Sequence, residues 1–309
     1  MAMSVFLTGA SGYLGGVLTT HLAKLPEVGA ITGTYNSTTP KPPVSPKVSY
    51  VKLDMRSPDL ARAMAGHDVV IHTAFLILWR ARMPAATRDD ICLNGTRNVA
   101  NAAVSNRVQR FLYASSVAAY DPLVVAGRVG VEEDCPVGKG VSAFYYMNNK
   151  AITDTMLVDV LGPAGISLTR LRPTYITGPH DRMTVKNFRD SPVIIPGRDP
   201  RIQFVHEDDV ATAFVQALSQ EMPGAYNVVP DDYLRLSEAY RLMGVTSART
   251  VPAWLARLVQ TIRWRYLGSA THPMWLDALY GDTTFSNKKL RATGWAPRYD
   301  TADTLRSAP

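Results

Sequence analysis

The chain has 309 residues, enough to bury a large core in one or two joined domains. Hydrophobic residues make up 46% and charged residues 19%, which excludes a disordered chain. The net charge is +7, but the basic residues are scattered and form no run, so the excess points to a solvated surface and not to a nucleic-acid partner.

Two cysteines, Cys92 and Cys135, are too few for a disulfide framework, and a reducing compartment is expected. The N-terminal stretch has no basic segment ahead of an apolar one, and no apolar run reaches the roughly 18 residues of a membrane span. The expectation is a cytoplasmic protein with no membrane partner.

In chain order, residues 4–7 read as a short apolar strand and 13–25 as a helix stopped by Pro26. Residues 30–35 form a second strand, 38–46 a loop rich in Pro, Ser and Thr, and 48–53 a third strand. Residues 68–74, DVVIHTA, are apolar almost throughout and form the fourth. A helix over 88–105, a strand over 110–114, a helix over 146–161 and a strand over 166–171 follow. Strands that are apolar on both faces, with helices between them, predict a parallel sheet with right-handed crossovers. The fold class is α/β, a Rossmann-type doubly wound sheet.

After Arg172 the texture changes. Prolines punctuate residues 173–200, a strand is expected at 204–206, a helix over 208–218 and a strand over 225–229. The rest is mainly helical. The expected division is a dinucleotide-binding domain over 1–172, joined by 203–229, and a smaller, mostly helical substrate lobe over 173–202 and 230–309.

Between the first strand and the first helix stand Thr8, Gly9, Ala10, Ser11, Gly12, Tyr13, Leu14 and Gly15. The spacing G-x-x-G-x-x-G suits a dinucleotide. The first glycine allows a tight turn, the second lets a pyrophosphate approach the backbone, and the third packs helix on strand. The anion then meets free N–H groups at a helix N-terminus. An acid at the end of the second strand would hold the 2′-hydroxyl of NAD; Asn36 and Ser37 stand there instead. They can donate to a 2′-phosphate, which favours NADP over NAD, and Lys41 can reach in from the loop. Asp54, with Met55 beside it, ends the third strand and either accepts from the adenine amino group or caps a turn.

Tyr146 and Lys150 form Y-x-x-x-K at a helix start, four residues apart and so on one face. A phenol with a reference pKa of ~10 is a weak acid–base group, and a neighbouring ammonium lowers that value. Such a tyrosine can protonate a developing alkoxide. Ala114, Ser115 and Ser116 end the fifth strand, at the ligand-binding edge of such sheets. Ser116 is the first choice to orient a substrate carbonyl and Ser115 the second.

These segments together resemble the extended short-chain dehydrogenase/reductases of the epimerase/dehydratase-like branch. TGASGYLG at 8–15, DVVIHTA at 68–74, LNGTRNV at 93–99, SSVAAY at 115–120, LRPTYITGP at 171–179, FVHEDDVATA at 204–213 and TGWAP at 293–297 carry the resemblance. It implies that Thr73, Ala74 and Phe75 pass close to the cofactor. It also implies that Pro173, Thr174 and Ile176 wrap its nicotinamide end, and that the helices near 88–105 and 145–161 pair in a homodimer. Three departures stand out: Cys92 replaces an Asn that supports a water chain in the family, Pro173-Thr174 replaces an Asn of nucleotide-sugar members, and Ile202 replaces an Arg that binds a sugar-nucleotide diphosphate, although Arg201 is adjacent.

These departures favour a relatively apolar carbonyl substrate. The expected protein is an NADP-dependent carbonyl reductase or alcohol dehydrogenase. The alternative is a nucleotide-sugar epimerase or dehydratase with tightly bound NAD, and a third reading is a cofactor-sensing regulator. Trp254, Leu255, Trp264, Tyr266, Met274, Trp275 and Leu276 are candidates for an apolar pocket, and Phe75 to Trp79 for contact with substrate. His180 and Asp181 can pair near the site, and Asp208 is expected to cap the following helix.

Overall fold

Alternation along the first strand already commits the chain to two faces. In the computed structural model, Val5 and Leu7 point into one core while Phe6 points into another. The structure describes residues 2–43, 45–77, 81–140, 142, 144–190, 192–269 and 271–309.

Seven strands form one parallel sheet: β1 (Met3–Thr8), β2 (Val28–Tyr35), β3 (Val48–Lys52), β4 (Val69–His72), β5 (Arg110–Ala114), β6 (Ser167–Pro173) and β7 (Gly224–Val228). Their spatial order is β3-β2-β1-β4-β5-β6-β7. The order reverses between β1 and β4, so the loops leaving these neighbours diverge and open a crevice at their carboxyl ends. Register pairs Thr8 with His72, which puts the glycine loop beside Thr73 and Ala74.

Helices cover both faces. On one, α1 (Tyr13–Ala23) and α4 (Glu207–Ser219) contribute Leu18, Leu22 and Phe214. On the other, α2 (Gly95–Ser105) and α3 (Tyr145–Leu161) contribute Val99, Leu157 and Leu161. This is the doubly wound architecture that the apolar strands predict. A further core gathers Ile202, Phe204, Leu236, Tyr240 and Leu305. Beside it lie α5 (Ala253–Tyr266) and α6 (Met274–Leu279).

The expected helix at 88–105 is not one regular helix. It starts at Ala85, widens into a π-turn over Asp90–Asn94, and only then becomes α2. The π-turn holds Cys92 buried with Sγ 3.9 Å from the Leu76 carbonyl.

Candidate active site

The glycine loop is fixed by close backbone approach. Gly9 has φ +76°, and a Cβ there would lie 2.8 Å from the Ala74 backbone. A Cβ on Gly15 would lie 2.1 Å from the Gly9 carbonyl oxygen. The helix α1 starts with no side-chain cap, so its first-turn N–H groups stay available to an anion. These features fit the pyrophosphate of a dinucleotide. The loop lines a cavity of about 2120 Å³ that continues past Thr73, Phe75, Ala114, Tyr146 and Lys150. Beyond them it reaches Thr174, Ile176 and the C-terminal residues.

At the ends of β2 and β3 the structure arranges the expected residues differently. Asn36 donates to Asp54 (2.9 Å). Asp54 is held by the Arg56 side chain (2.9 and 2.7 Å) and accepts from the Arg56 backbone N–H (2.9 Å). Asp54 thus caps the turn after β3, and the Arg56 guanidinium holds its carboxyl below the usual range. Asn36 and Ser37 are exposed; Thr38, Thr39 and Lys41 line the cavity in their place. Thr8 is fully buried, with its hydroxyl 2.6 Å from His72 Nδ1. Met55 packs against Gly95. Neither side chain opens onto the cavity, because one belongs to the sheet interior and the other to the seam with α2.

Tyr146 and Lys150 are both buried on the first turns of α3. The nearby Ser116 hydroxyl favours the Tyr146 phenolate, yet burial prevails and pushes the phenol's pKa up to about 12. Lys150 does not turn its charge onto the phenol. Its Nζ donates to the Ala114 carbonyl (2.7 Å) and lies 3.9 Å from the centre of the Phe75 ring. Burial depresses its pKa to about 7. The expected lowering of the phenol by the ammonium therefore gives way to burial in this arrangement.

The two serines separate cleanly. Ser115 Oγ donates to Asp154 (2.5 Å). Ser116 Oγ accepts from the Ala118 N–H (3.1 Å), faces the Pro173 carbonyl (3.5 Å) and meets Tyr146. Ser116 is the one that reaches the phenol. Asp154 also accepts from Arg170 (2.6 Å) and Arg172 (3.1 and 2.7 Å), all behind the site. Sequence reasoning missed Asp154. Its signal was its spacing: Tyr146, Lys150 and Asp154 stand four apart on one helix face.

Other placements differ from expectation. His180 pairs with Glu207, not Asp181; Asp181 instead accepts from Thr177 (2.8 Å) and from the N–H groups of Met183, Thr184 and Val185. Buried Glu207 also accepts from the Tyr13 hydroxyl (2.6 Å), tying the glycine loop to the loop after β6. His206, not Asp208, caps α4, and Asp208 pairs with His21 (2.9 Å). Leu255, Trp275 and Leu276 line the cavity. Trp264 packs edge-on to His272 (4.7 Å), and Met274 packs into the cluster around Phe144. Trp254 and Tyr266 are exposed. Trp275 lies 5.1 Å from the Tyr146 ring and Phe75 lies 6.0 Å from it. Leu78 and Trp79 lie outside the described residues.

Residues 5–228 match the model of the NAD dependent epimerase/dehydratase family. A 3-beta-hydroxysteroid dehydrogenase of Mycolicibacterium neoaurum is 24% identical over 97% of this chain and 89% of that protein. A 4-hydroxy-2-methyl-3-oxo-4-farnesyl-3,4-dihydroquinoline-1-oxide ketoreductase of Stigmatella aurantiaca is 30% identical over 58% of this chain and 52% of its own. Among solved structures, a UDP-N-acetylglucosamine 4-epimerase of Methanobrevibacter ruminantium superposes with a TM-score of 0.76 at 16% identity, covering 99% of this chain and 97% of that one. At that identity the likeness is one of fold.

Proposed function

Because the chain belongs to the NAD dependent epimerase/dehydratase family, and so to the NAD(P)-dependent enzymes of the short-chain dehydrogenase/reductase type, we propose that it is an NADP-dependent carbonyl reductase or alcohol dehydrogenase for a relatively apolar ketone or aldehyde. The observation that carries this reading is the wall around the phenol. Phe75 and Trp275 flank Tyr146, and the cavity beyond it is lined by Tyr175, Phe188 and Leu276. Arg201, the group that a sugar-nucleotide diphosphate would need, is locked on Asp282 (2.9 and 2.8 Å), and Ile202 is buried in the third core, with Phe204 and Leu236. This weighs against the epimerase alternative.

Gly9, Ser11, Gly12 and the α1 N-terminus would hold the pyrophosphate, and Thr73, Thr174 and Ile176 the nicotinamide end. The bound dinucleotide supplies the hydride exchange with the substrate carbon. Ser116 orients the carbonyl oxygen, and Tyr146, fully protonated at neutral pH, gives that oxygen its proton. Lys150 braces the ribose side of the site from the Ala114 carbonyl. We also assign residues 173–202 and 230–309 to a substrate lobe and the α2 and α3 faces to a homodimer. The test is NADPH oxidation against a panel of ketones, aldehydes and sugar nucleotides. Stoichiometric oxidation with apolar ketones supports the reading. Sugar-nucleotide turnover without net oxidation would replace it with the epimerase alternative.

A further inference from the structure

The helix α5 carries an apolar stripe that nothing in the described fold covers. Trp254 and Tyr266 are 67% and 72% exposed, and Leu258, Val259, Ile262 and Leu267 are exposed as well. At about 100° per residue, Trp254, Leu258, Ile262 and Tyr266 fall within an arc of about 120°. The opposite side of the helix is the packed one, with Ala256 and Gln260 buried. A soluble helix normally turns such a stripe inward; here it is turned out.

Around the stripe arginines outnumber acids, which are Asp277 and Asp190, the latter sharing a small hollow with Arg263 and Leu267. From Ala239 to Leu276 the chain carries Arg241, Arg249, Arg257, Arg263 and Arg265 and no Asp or Glu. On the helical projection Arg257 and Arg263 bound the stripe on either side, and Arg265 stands at its C-terminal end. Arg257 pairs with Asp277, the first acid after this stretch. The aromatic residues Trp254 and Tyr266 sit near the two ends of the helix.

The same helix also walls the cavity. Leu255, Ala256, Val259 and Gln260 line it, and Val259 is exposed on the stripe as well. The cavity therefore opens beside the apolar face.

We propose that α5 is an interfacial anchor: it lies along an anionic lipid surface with Trp254, Leu258, Ile262 and Tyr266 immersed and the flanking arginines at the headgroups. Apolar area together with a cationic border is the chemistry that such a surface recognises. A second copy of this chain would bring a like-charged border against this one, which disfavours self-association through the stripe. Among the described residues no helix is long and apolar enough to cross a membrane. The proposed contact is thus peripheral, and it revises the sequence expectation of no membrane partner. It stands whatever the substrate proves to be.

The test is flotation of the full chain with phosphatidylcholine vesicles, with and without phosphatidylglycerol. Wild type is expected to float with the anionic vesicles and to be released by salt. The variant Trp254→Ser/Leu258→Ser/Ile262→Ser is expected to bind at least about ten-fold less, as loss of most of the buried apolar area requires. Its melting curve, read by circular dichroism, checks that it is folded. Arg265→Gln should weaken binding without abolishing it. Absence of binding to anionic vesicles, or equal binding to phosphatidylcholine alone, overturns the proposal. So does a wild-type dimer in sedimentation that the triple variant loses, because a second copy would then be the occupant.

Discussion

Lys150 is a cation placed where water cannot solvate it, so its protonation is coupled to folding. Its folded pKa, about 7, lies below the ordinary lysine value. Between the two values the unfolded chain holds the extra proton, so stability rises with pH across that window. From about pH 9 the buried Cys92 thiol, pushed up by burial, acts in the opposite sense. The clean window is therefore pH 7 to 9, where the Tm of wild type should climb relative to that of Lys150→Met; parallel curves would contradict the burial of the amine. Lys41 gives a second prediction at this scale. If it meets a 2′-phosphate, Lys41→Gln weakens NADP binding about ten-fold, about 1.4 kcal/mol, and leaves NAD binding unchanged by titration calorimetry. Tyr146, Lys150 and Ser116 were legible as residues because their chemistry is encoded in spacing. The direction in which Lys150 points was not, since it depends on a carbonyl and a ring from two other segments.

At the scale of elements, the strand-end serines depend on α3. Asp154 on that helix accepts from Ser115, Arg170 and Arg172 at once. Burial raises its pKa, but the arginines outweigh burial and keep the carboxylate ionised. Asp154→Asn strips the counter-charge from fully buried Arg172, and removal of one partner from a buried ion pair costs about 3–5 kcal/mol. Urea unfolding should register that loss; a change below about 1 kcal/mol would mean that Arg172 finds solvent. Gly15→Ala should leave little or no dinucleotide binding, because its Cβ would lie 2.1 Å from the Gly9 carbonyl oxygen. The regular strands and α1 were readable from apolar runs and glycine spacing. The π-turn at Asp90–Asn94 has no periodic signature of its own. The Asn36–Asp54–Arg56 cluster joins two strand ends whose adjacency follows only from sheet order.

Across the whole molecule, the strand order places the glycine loop, the β4 exit and the β5 exit around one crevice. Composition, strand runs and crossovers were enough to expect that sheet. They do not encode how the C-terminal segments sit on it. Trp254, Trp264 and Trp275 look alike in sequence, yet one is exposed, one packs on His272 and one lies against the phenol. Only long-range packing separates them.

The central claim is that Tyr146 gives the proton to an apolar carbonyl substrate, and single-turnover oxidation of bound NADPH tests it most directly. With a ketone that wild type reduces, Tyr146→Phe should slow that oxidation by about 10²–10⁴-fold while NADPH still binds with wild-type affinity. An unchanged rate in that variant would contradict the account.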